Sequence, residues 1–270
     1  MTDNNSNRLP IIIGAIAALL LAGLGAYFLN RPAGAAPGVE KQASANADAT
    51  KALAAAGISS KERSAIEALV RSYILEHPEI LSDAAEILQQ RETAKRLAAA
   101  GPALTKPFPG AESGNPSGDV TVVEFTDYSC GYCRASVADL NRLVAGDKQV
   151  RVIYRELPIL APISREAALW GLAAAKQGKH KAFHDAMFSG GRPDPNTIKA
   201  AASRAGMNIA QAESYVRTAE ASAEIDNNLK MMQQIGFNGT PTFVVGNQLL
   251  EGALGHDALK AAVARARQAG

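Results

Sequence analysis

The hydrophobic residues of this chain fall into blocks with different periodicities. The first block, Leu9 to Leu29, is 21 residues without a charge, about 31 Å long as a helix. That length is enough to cross a hydrocarbon core of roughly 30 Å. The pattern predicts a transmembrane anchor at residues 9–29 behind a short tail at 1–8. A cleaved secretory signal is the alternative, because Ala33-Gly34-Ala35 has the small residues of a cleavage site.

The next two blocks differ in how often a large apolar residue occurs. Residues 30–57 are dominated by glycine, proline, alanine and small polar residues, a composition typical of a flexible linker. In residues 58–100 the apolar positions recur at helical spacing, Ser59 and Glu62 match a capping box, and His77-Pro78 interrupts the pattern. We expect two amphipathic helices, whose apolar stripes need a covering surface. Either they fold back onto the rest of the chain, or copies of the protein associate through them.

Residues 101–270 alternate between strand and helix patterns and predict one α/β domain. It opens with a turn-rich stretch, has a helical region at about 160–235, and orders its elements as β-α-β, helices, β-β-α. The predicted elements outside the helical region are a buried strand at Val120 to Phe125, a helix from Cys130 or just after it, a strand at Val150 to Tyr154, a hairpin of Thr242 to Val245 with Gln248 to Leu250, and a closing helix at Asp257 to Gln268.

The composition narrows the function mainly by exclusion. Lys and Arg number 28 against 26 Asp and Glu, a net charge of +2. A nucleic-acid-binding protein usually carries a basic surplus, so we expect no nucleic-acid partner. The chain has only two cysteines, too few for a disulfide framework or an all-cysteine zinc site.

These two cysteines, Cys130 and Cys133, lie between the first strand of the domain and the helix that follows it. A thiol at a helix N-terminus faces unpaired N–H groups and the positive end of the helix dipole, which stabilise its thiolate. Cys130 is therefore the candidate nucleophile. Cys133, one turn further on, is placed to resolve a mixed disulfide.

Two other uses of the cysteine pair are weaker. As a plain cross-link it closes a loop of about four residues, which contributes only roughly 2 kcal/mol in the chain-entropy model. As a metal site it needs more ligands, and none of the four histidines has finger-like spacing to the cysteines. His180 and His184 stand at i and i+4, but Lys181 occupies the position where a zinc protease has its glutamate. We predict no metal site.

The chain resembles the DsbA-like branch of the thioredoxin superfamily, and within it the ScsC-like thiol:disulfide interchange proteins. Three segments carry the resemblance: Glu124-Phe125-Thr126-Asp127-Tyr128-Ser129-Cys130-Gly131-Tyr132-Cys133, Gly239-Thr240-Pro241-Thr242-Phe243, and Tyr73-Ile74-Leu75-Glu76-His77-Pro78-Glu79-Ile80-Leu81. It implies a thioredoxin-like fold with a helical insertion, preceded by the amphipathic helical segment; the transmembrane helix predicted from the apolar run precedes both.

The resemblance also implies a set of site residues. Cys130 and Cys133 form the redox-active disulfide, with Gly131 and Tyr132 as the loop between them and no other cofactor. Pro241 is cis and faces the cysteines, and Thr240 pairs with an extended substrate peptide; by pattern alone, Pro241 could instead be a trans residue that opens a strand. Glu124 matches a buried acid that relays a proton, whereas strand alternation alone also allows an exposed glutamate.

The expected function is thiol-disulfide exchange that forms or isomerises disulfides in exported proteins. Expected partners are thiol- or disulfide-containing exported proteins, a membrane redox partner, and further copies of the chain through residues 58–100. The expected location is the inner membrane, with residues 1–8 cytoplasmic and the catalytic domain in the periplasm, or free in the periplasm if the signal is cleaved. The competing function is a copper-binding chaperone or metal-resistance protein that uses the two thiolates as soft ligands.

Overall fold

The computed structural model of the protein describes residues 51, 52 and 54–269. The predicted tail at 1–8, the predicted anchor at 9–29 and most of the predicted linker at 30–57 lie outside the described residues. Among the described residues, no helix is both long enough and apolar enough to span a bilayer. At the end of the predicted linker, Lys51, Ala52, Ala54 and Ala55 have helical backbone, which agrees with the high helix propensity of alanine.

The order of elements in residues 101–270 follows the predicted β-α-β, helices, β-β-α. The helices are α1 (Ser60–Glu76), α2 (Glu79–Ala100), α3 (Pro102–Thr105), α4 (Gly131–Gly146), α5 (Pro162–Lys176), α6 (His180–Ser189), α7 (Pro195–Arg204), α8 (Ile209–Tyr215), α9 (Ala219–Ile235) and α10 (His256–Ala269). The strands are β1 (Glu112–Gly114), β2 (Val120–Thr126), β3 (Val150–Glu156), β4 (Thr242–Val245) and β5 (Gln248–Glu251).

The capping box at the start of α1 is present. The Ser59 hydroxyl accepts a hydrogen bond from the N–H of Glu62 at 3.3 Å, and the Glu62 carboxylate accepts one from the N–H of Ser59 at 2.8 Å. His77 caps the end of α1, and Pro78 separates it from α2. The chain divides into two compact units between Ile80 and Leu81.

Neither of the first two helices buries its apolar stripe in the described structure. Helix α1 has no buried residue, and α2 buries only Leu97. The α1 stripe, formed by Ile66, Leu69, Val70 and Tyr73, is between 49% and 69% exposed.

The five strands form one mixed sheet in the order β1-β3-β2-β4-β5. Strands β2 and β3 are parallel and connected through α4, while the other three pairings are antiparallel. Parallel neighbours require a crossover, and α4 supplies it. Because β4 pairs with β2, the start of β4 lies beside the end of β2, where the cysteine motif begins.

Both faces of the sheet are covered, which explains why the central strands β2 and β3 are almost entirely buried, polar residues such as Glu124 and Glu156 included. One face packs on α4 and α10 through Val122, Val152, Phe243, Leu140, Leu143, Leu259 and Val263. The other face packs on α9 and on the segment around α2 and α3 through Val123, Phe125, Ile153, Val244, Leu97, Leu104, Met231 and Ile235.

Strand β1 lies in the stretch that the sequence predicts as turns. It pairs with β3 at the edge of the sheet, with Ser113 opposite Val152. Polar contacts hold it: Glu112 makes an ion pair with Arg151 at 2.6 Å, and the hydroxyls of Ser113 and Tyr154 are 2.9 Å apart. A three-residue strand that is fixed by polar contacts has no apolar alternation, so the pattern could not reveal it.

The helical insertion encloses the cysteine motif. Tyr128, Cys130 and Cys133 belong to one buried cluster with residues of α5, α6 and α7, among them Trp170, Phe183, Met187, Ile198 and Ala201. The insertion therefore forms one wall of the site.

Candidate active site

Strand β2 ends at Thr126, and the chain turns so that Cys130 becomes the N-cap of α4. The N–H of Cys130 donates to the carbonyl of Asp127 at 2.9 Å, which closes the turn. The Cys130 sulfur accepts a hydrogen bond from the N–H of Cys133 at 3.3 Å. Both cysteines are free thiols, Cys130 4% exposed and Cys133 fully buried. Access by a large substrate is thus confined to Cys130.

The loop before β4 brings Thr240 to Cys130. The Thr240–Pro241 peptide bond is cis, as the resemblance implies. The Cys130 thiol donates to the Thr240 carbonyl at 3.1 Å, although 110 residues separate the two in sequence. The β2–β4 pairing explains this proximity, since it aligns Phe125 with Thr242. An extended peptide bound to Cys130 would lie beside the backbone of Thr240.

Glu124 is buried beneath the cysteines, so the alternative of an exposed strand-face glutamate is wrong. Its side chain is fully buried, and neither carboxylate oxygen has a hydrogen-bond partner. Burial, followed by the charge of Glu156, raises the pKa of Glu124 to about 8. A carboxyl group with a pKa near neutrality can both take up and release a proton.

The two thiols have opposite acidities. The hydrogen bond from Cys133 is the largest cause that lowers the pKa of Cys130, to about 5, and the Thr240 side chain and the N–H groups of Cys133 and Tyr132 lower it further. Burial raises the pKa of Cys133, and the charge of Glu124 adds to the increase. These shifts favour the thiolate of Cys130 and the thiol of Cys133 near neutral pH, and the hydrogen bond from Cys130 to the Thr240 carbonyl belongs to the protonated form of Cys130.

The predicted loop residues lie at the surface. Tyr132 is 71% exposed, and a side chain added at Gly131 would meet open space. Leu160, in the loop after β3, is 52% exposed. The structure thus brings together Cys130, Cys133, Glu124, Thr240 and Pro241, with Gly131 and Tyr132 facing solvent above them.

Asp127 is a residue of this site that the sequence prediction missed. Its buried carboxylate accepts hydrogen bonds from the N–H groups of Ser129, Ile159 and Leu160, at 2.8, 2.9 and 2.9 Å. It thereby holds the loop after β3 against the residues before Cys130. Its position three residues ahead of Cys130 was the available signal, but two of its three partners, Ile159 and Leu160, lie over 30 residues away in sequence.

A second missed group is formed by Tyr128, Glu156 and His180. The Tyr128 hydroxyl donates to the Glu156 carboxylate at 2.9 Å, and the His180 Nε2 lies 3.0 Å from the same oxygen. His180 and His184 are both buried, and neither lies near enough to other ligands to form a metal site: the described residues contain no group of three or more His, Cys, Asp or Glu side chains suited to a metal.

The family is decided by comparison with known sequences. The sequence model of the DSBA-like thioredoxin domain matches residues 121–264, more than half of the chain. This chain belongs to that family. A second model, described as the copper resistance protein ScsC N-terminal domain, matches residues 62–95, the region of α1 and α2. The DsbA-like family works through a redox-active cysteine pair without a cofactor.

Solved structures agree with this family. A thioredoxin-like oxidoreductase from Silicibacter pomeroyi DSS-3 is 41% identical; the match covers 62% of this chain and 96% of that one, with a TM-score of 0.59. A linker-deletion mutant of Proteus mirabilis ScsC is 25% identical; the match covers 78% of this chain and 98% of that one, with a TM-score of 0.62.

Curated relatives match over a shorter part of their length. The Na(+)/H(+) antiporter NhaA 3 of Salinispora tropica is 28% identical over 149 residues, 53% of this chain. The chain spans about a fifth of that relative, 22% of its length.

Proposed function

We propose that this protein is a thiol-disulfide oxidoreductase that forms or isomerises disulfide bonds in exported proteins. The observation that carries the proposal is the position of the Cys130 sulfur, which caps α4 and lies 3.1 Å from the carbonyl before a cis proline. Once Cys130 is ionised, the Thr240 carbonyl no longer accepts from it and can accept from a substrate N–H, so the pair is suited to attack on a disulfide in an extended peptide.

Oxidation of a substrate proceeds in two exchanges. A substrate thiolate attacks Cys130 of the oxidised pair, a mixed disulfide forms, and Cys133 leaves as a thiolate that takes a proton from Glu124. A second substrate thiolate then attacks the substrate sulfur of the mixed disulfide and releases the Cys130 thiolate. The substrate loses two electrons, and the cysteine pair gains them. For isomerisation, the Cys130 thiolate attacks a wrong substrate disulfide and is later displaced by another substrate thiol, with no net electron transfer.

The stable Cys130 thiolate favours the reduced form of the pair, so the disulfide is a good oxidant. Such a pair needs a membrane redox partner to restore the working state. We propose an inner-membrane location, with residues 9–29 as a single-pass anchor, residues 30–57 as a tether and the catalytic domain of residues 101–270 in the periplasm. Protease added to cells with a permeabilised outer membrane should digest this domain; full protection would contradict the orientation.

The activity is tested by reduction of insulin and by refolding of a scrambled disulfide substrate. We expect Cys130→Ala to abolish both activities. Cys133→Ala should still attack substrates but accumulate mixed disulfides with them, since the resolving thiol is gone. Glu124→Gln should slow exchange about 10²-fold or more by removing the proton carrier. Full activity of Cys130→Ala would overturn the assignment.

A second candidate, copper binding by the two thiolates, has one supporting observation, the match of residues 62–95 to a domain named for copper resistance. Soft thiolates suit Cu(I). Tight one-to-one Cu(I) binding that depends on Cys130 and Cys133, in a protein with no exchange activity, would favour this function over the first.

A further inference from the structure

Glu156 is a second buried acid close to Glu124. In the parallel pairing of β2 with β3, Glu124 is opposite Tyr154 and Thr126 is opposite Glu156. Residues two apart in a strand point to the same face, so Glu124 and Glu156 are diagonal neighbours on one face of the sheet. Strand spacing and rise place their Cα atoms roughly 8 Å apart.

The Glu156 carboxylate is fixed in position by its neighbours. One oxygen accepts from the Tyr128 hydroxyl at 2.9 Å and lies 3.0 Å from His180, while the other has no partner. Helix α5 approaches closely because it has glycine at 171, where a Cβ would lie 2.4 Å from the Glu156 oxygen. Tyr128, His180 and the close approach at Gly171 thus hold the Glu156 carboxylate in one place on the sheet.

We propose that Glu156 is a positioning residue for disulfide exchange: held by Tyr128 and His180, its carboxylate sets whether Glu124 keeps its proton. The inference rests on the proposed function, in which Glu124 exchanges a proton with Cys133. In this proposal the group formed by Tyr128, Glu156 and His180 influences disulfide exchange through Glu124 and does not itself react.

The groups that face Glu124 come from several elements. Tyr154 and Glu156 come from strand β3, and Tyr128 comes from the turn before α4. The two cysteines lie at the start of α4. Lys181 comes from α6, together with its neighbours His180 and His184. Phe243, opposite Glu124 on β4, is apolar. After burial itself, the charge of an ionised Glu156 is the largest cause that raises the pKa of Glu124, and Lys181 acts in the opposite direction. Burial also raises the pKa of Glu156, whereas its contacts with His180 and Tyr128 lower it and so favour the charged form.

This arrangement matters for Cys133, which is deprotonated and reprotonated in each cycle. A Glu124 that ionises completely in the acid range would repel the Cys133 thiolate and would hold no proton to return to it at neutral pH. A nearby negative charge favours the protonated form of Glu124. Glu156 therefore keeps the proton carrier available at the pH where exchange takes place.

The test is the pH dependence of single-turnover release of a substrate peptide from its mixed disulfide with Cys130. We expect Glu156→Gln to move the inflection that belongs to Glu124 about 1.5 pH units toward acid, the size expected for a unit charge at this distance in a medium of effective dielectric constant about 20. The matched control is Glu166→Gln, an exposed carboxylate on α5, which should leave the inflection in place. In Glu124→Gln the inflection should be absent, and adding Glu156→Gln should change nothing further. An unmoved inflection in Glu156→Gln would overturn the inference.

A second measurement needs no variant and covers the case in which Glu156→Gln does not fold. The carboxyl ¹³C shifts of Glu124 and Glu156 are followed against pH in the unmodified protein. Coupled sites each show both inflections. Two independent single-step curves would overturn the inference.

The Glu124→Gln variant separates failure of the proposed function from failure of this inference. If Glu124→Gln exchanges disulfides at the normal rate, the proton-carrier role in the proposed function fails. If Glu124→Gln is slow but Glu156→Gln has a normal pH profile, only this inference fails.

Discussion

At the residue scale, the acidity of Cys130 depends on a small number of donors. The Cys133 thiol contributes most, and the Thr240 side chain and backbone N–H groups add to it. The backbone N–H groups that stabilise Cys130 occur at the start of any helix, whereas the Thr240 side chain comes from the loop before β4. Position 240 is therefore where a substitution can alter the nucleophile and leave α4 unchanged.

We expect Thr240→Val to raise the pKa of Cys130 from about 5, because the buried Thr240 hydroxyl has no other hydrogen-bond partner and is free to donate to the thiolate, whereas a valine of the same shape is not. Thiolate absorbance near 240 nm or the rate of alkylation, measured against pH, gives the midpoint. Thr242→Val is the control, since its hydroxyl is engaged with the Gly239 carbonyl at 2.8 Å. An identical midpoint in Thr240→Val and the unmodified protein would contradict the prediction.

The same thiolate makes the stability of the reduced protein depend on pH. The folded pKa of Cys130, about 5, lies below the ordinary value of 9.0. A lowered folded pKa gives stabilisation that is complete above the unfolded value and is lost as the pH falls through the folded value. The free energy of unfolding of the reduced protein, relative to the oxidised protein, should thus rise between pH 5 and pH 8 in urea titrations. A difference that stays constant over this range would show that Cys130 is not a stabilised thiolate.

At the scale of elements, the site depends on how closely α5 approaches β3. Gly171 is the contact point, because a Cβ there would lie 2.4 Å from the Glu156 carboxylate and 2.9 Å from the Tyr128 hydroxyl. Helix propensity favours alanine over glycine by about 1 kcal/mol, but atoms cannot approach this closely.

We therefore expect Gly171→Ala to lower the free energy of unfolding by about 1–3 kcal/mol despite its better helix propensity. The control is Gly146→Ala at the exposed end of α4, where nothing lies within 4 Å of the added atom. That variant should be neutral or slightly stabilising. Denaturant titration of both variants measures their free energies of unfolding. Equal changes in the two variants would contradict the prediction and would mean that α5 can move away from β3 at little energetic cost.

At the scale of the whole molecule, the first two helices carry large apolar side chains that are exposed. Leu69 is 69% exposed and Leu75 is 68% exposed. Contiguous exposed apolar side chains usually mark an interface. We propose that residues 58–100 associate between copies of the chain, which would place several cysteine pairs in one assembly, as suits an isomerase.

The expected result for Leu69→Asp is a lower molar mass in light scattering at micromolar concentration, because a charge in the stripe opposes burial. Ser64→Asp, exposed on the other side of α1, should keep the mass of the unmodified protein. If the unmodified protein is a monomer at every concentration tested, the association proposal is wrong.

Much of this molecule could be predicted from local pattern. The strand at residues 120–126, the helix that begins behind Cys130, the hairpin at 242–251 and the break at His77-Pro78 all follow from periodicity and from turn or capping residues. The cysteine pair at the start of a helix predicted the reactive centre, because the unpaired N–H groups and the dipole of a helix stabilise a thiolate within its first turn. The predictions for residues 1–50 concern a part of the chain outside the described residues.

The tertiary structure alone decided which distant residues meet. The order β1-β3-β2-β4-β5 brings Thr240 to Cys130 and sets Glu156 diagonal to Glu124, and the packing of α5 and α6 adds His180 and the close approach at Gly171. Local periodicity reports whether a position is buried but not what it is buried against, because that depends on sheet order and helix packing. The sequence by itself thus determined where the candidate nucleophile lies, and only the fold determined the acids and carbonyl that surround it.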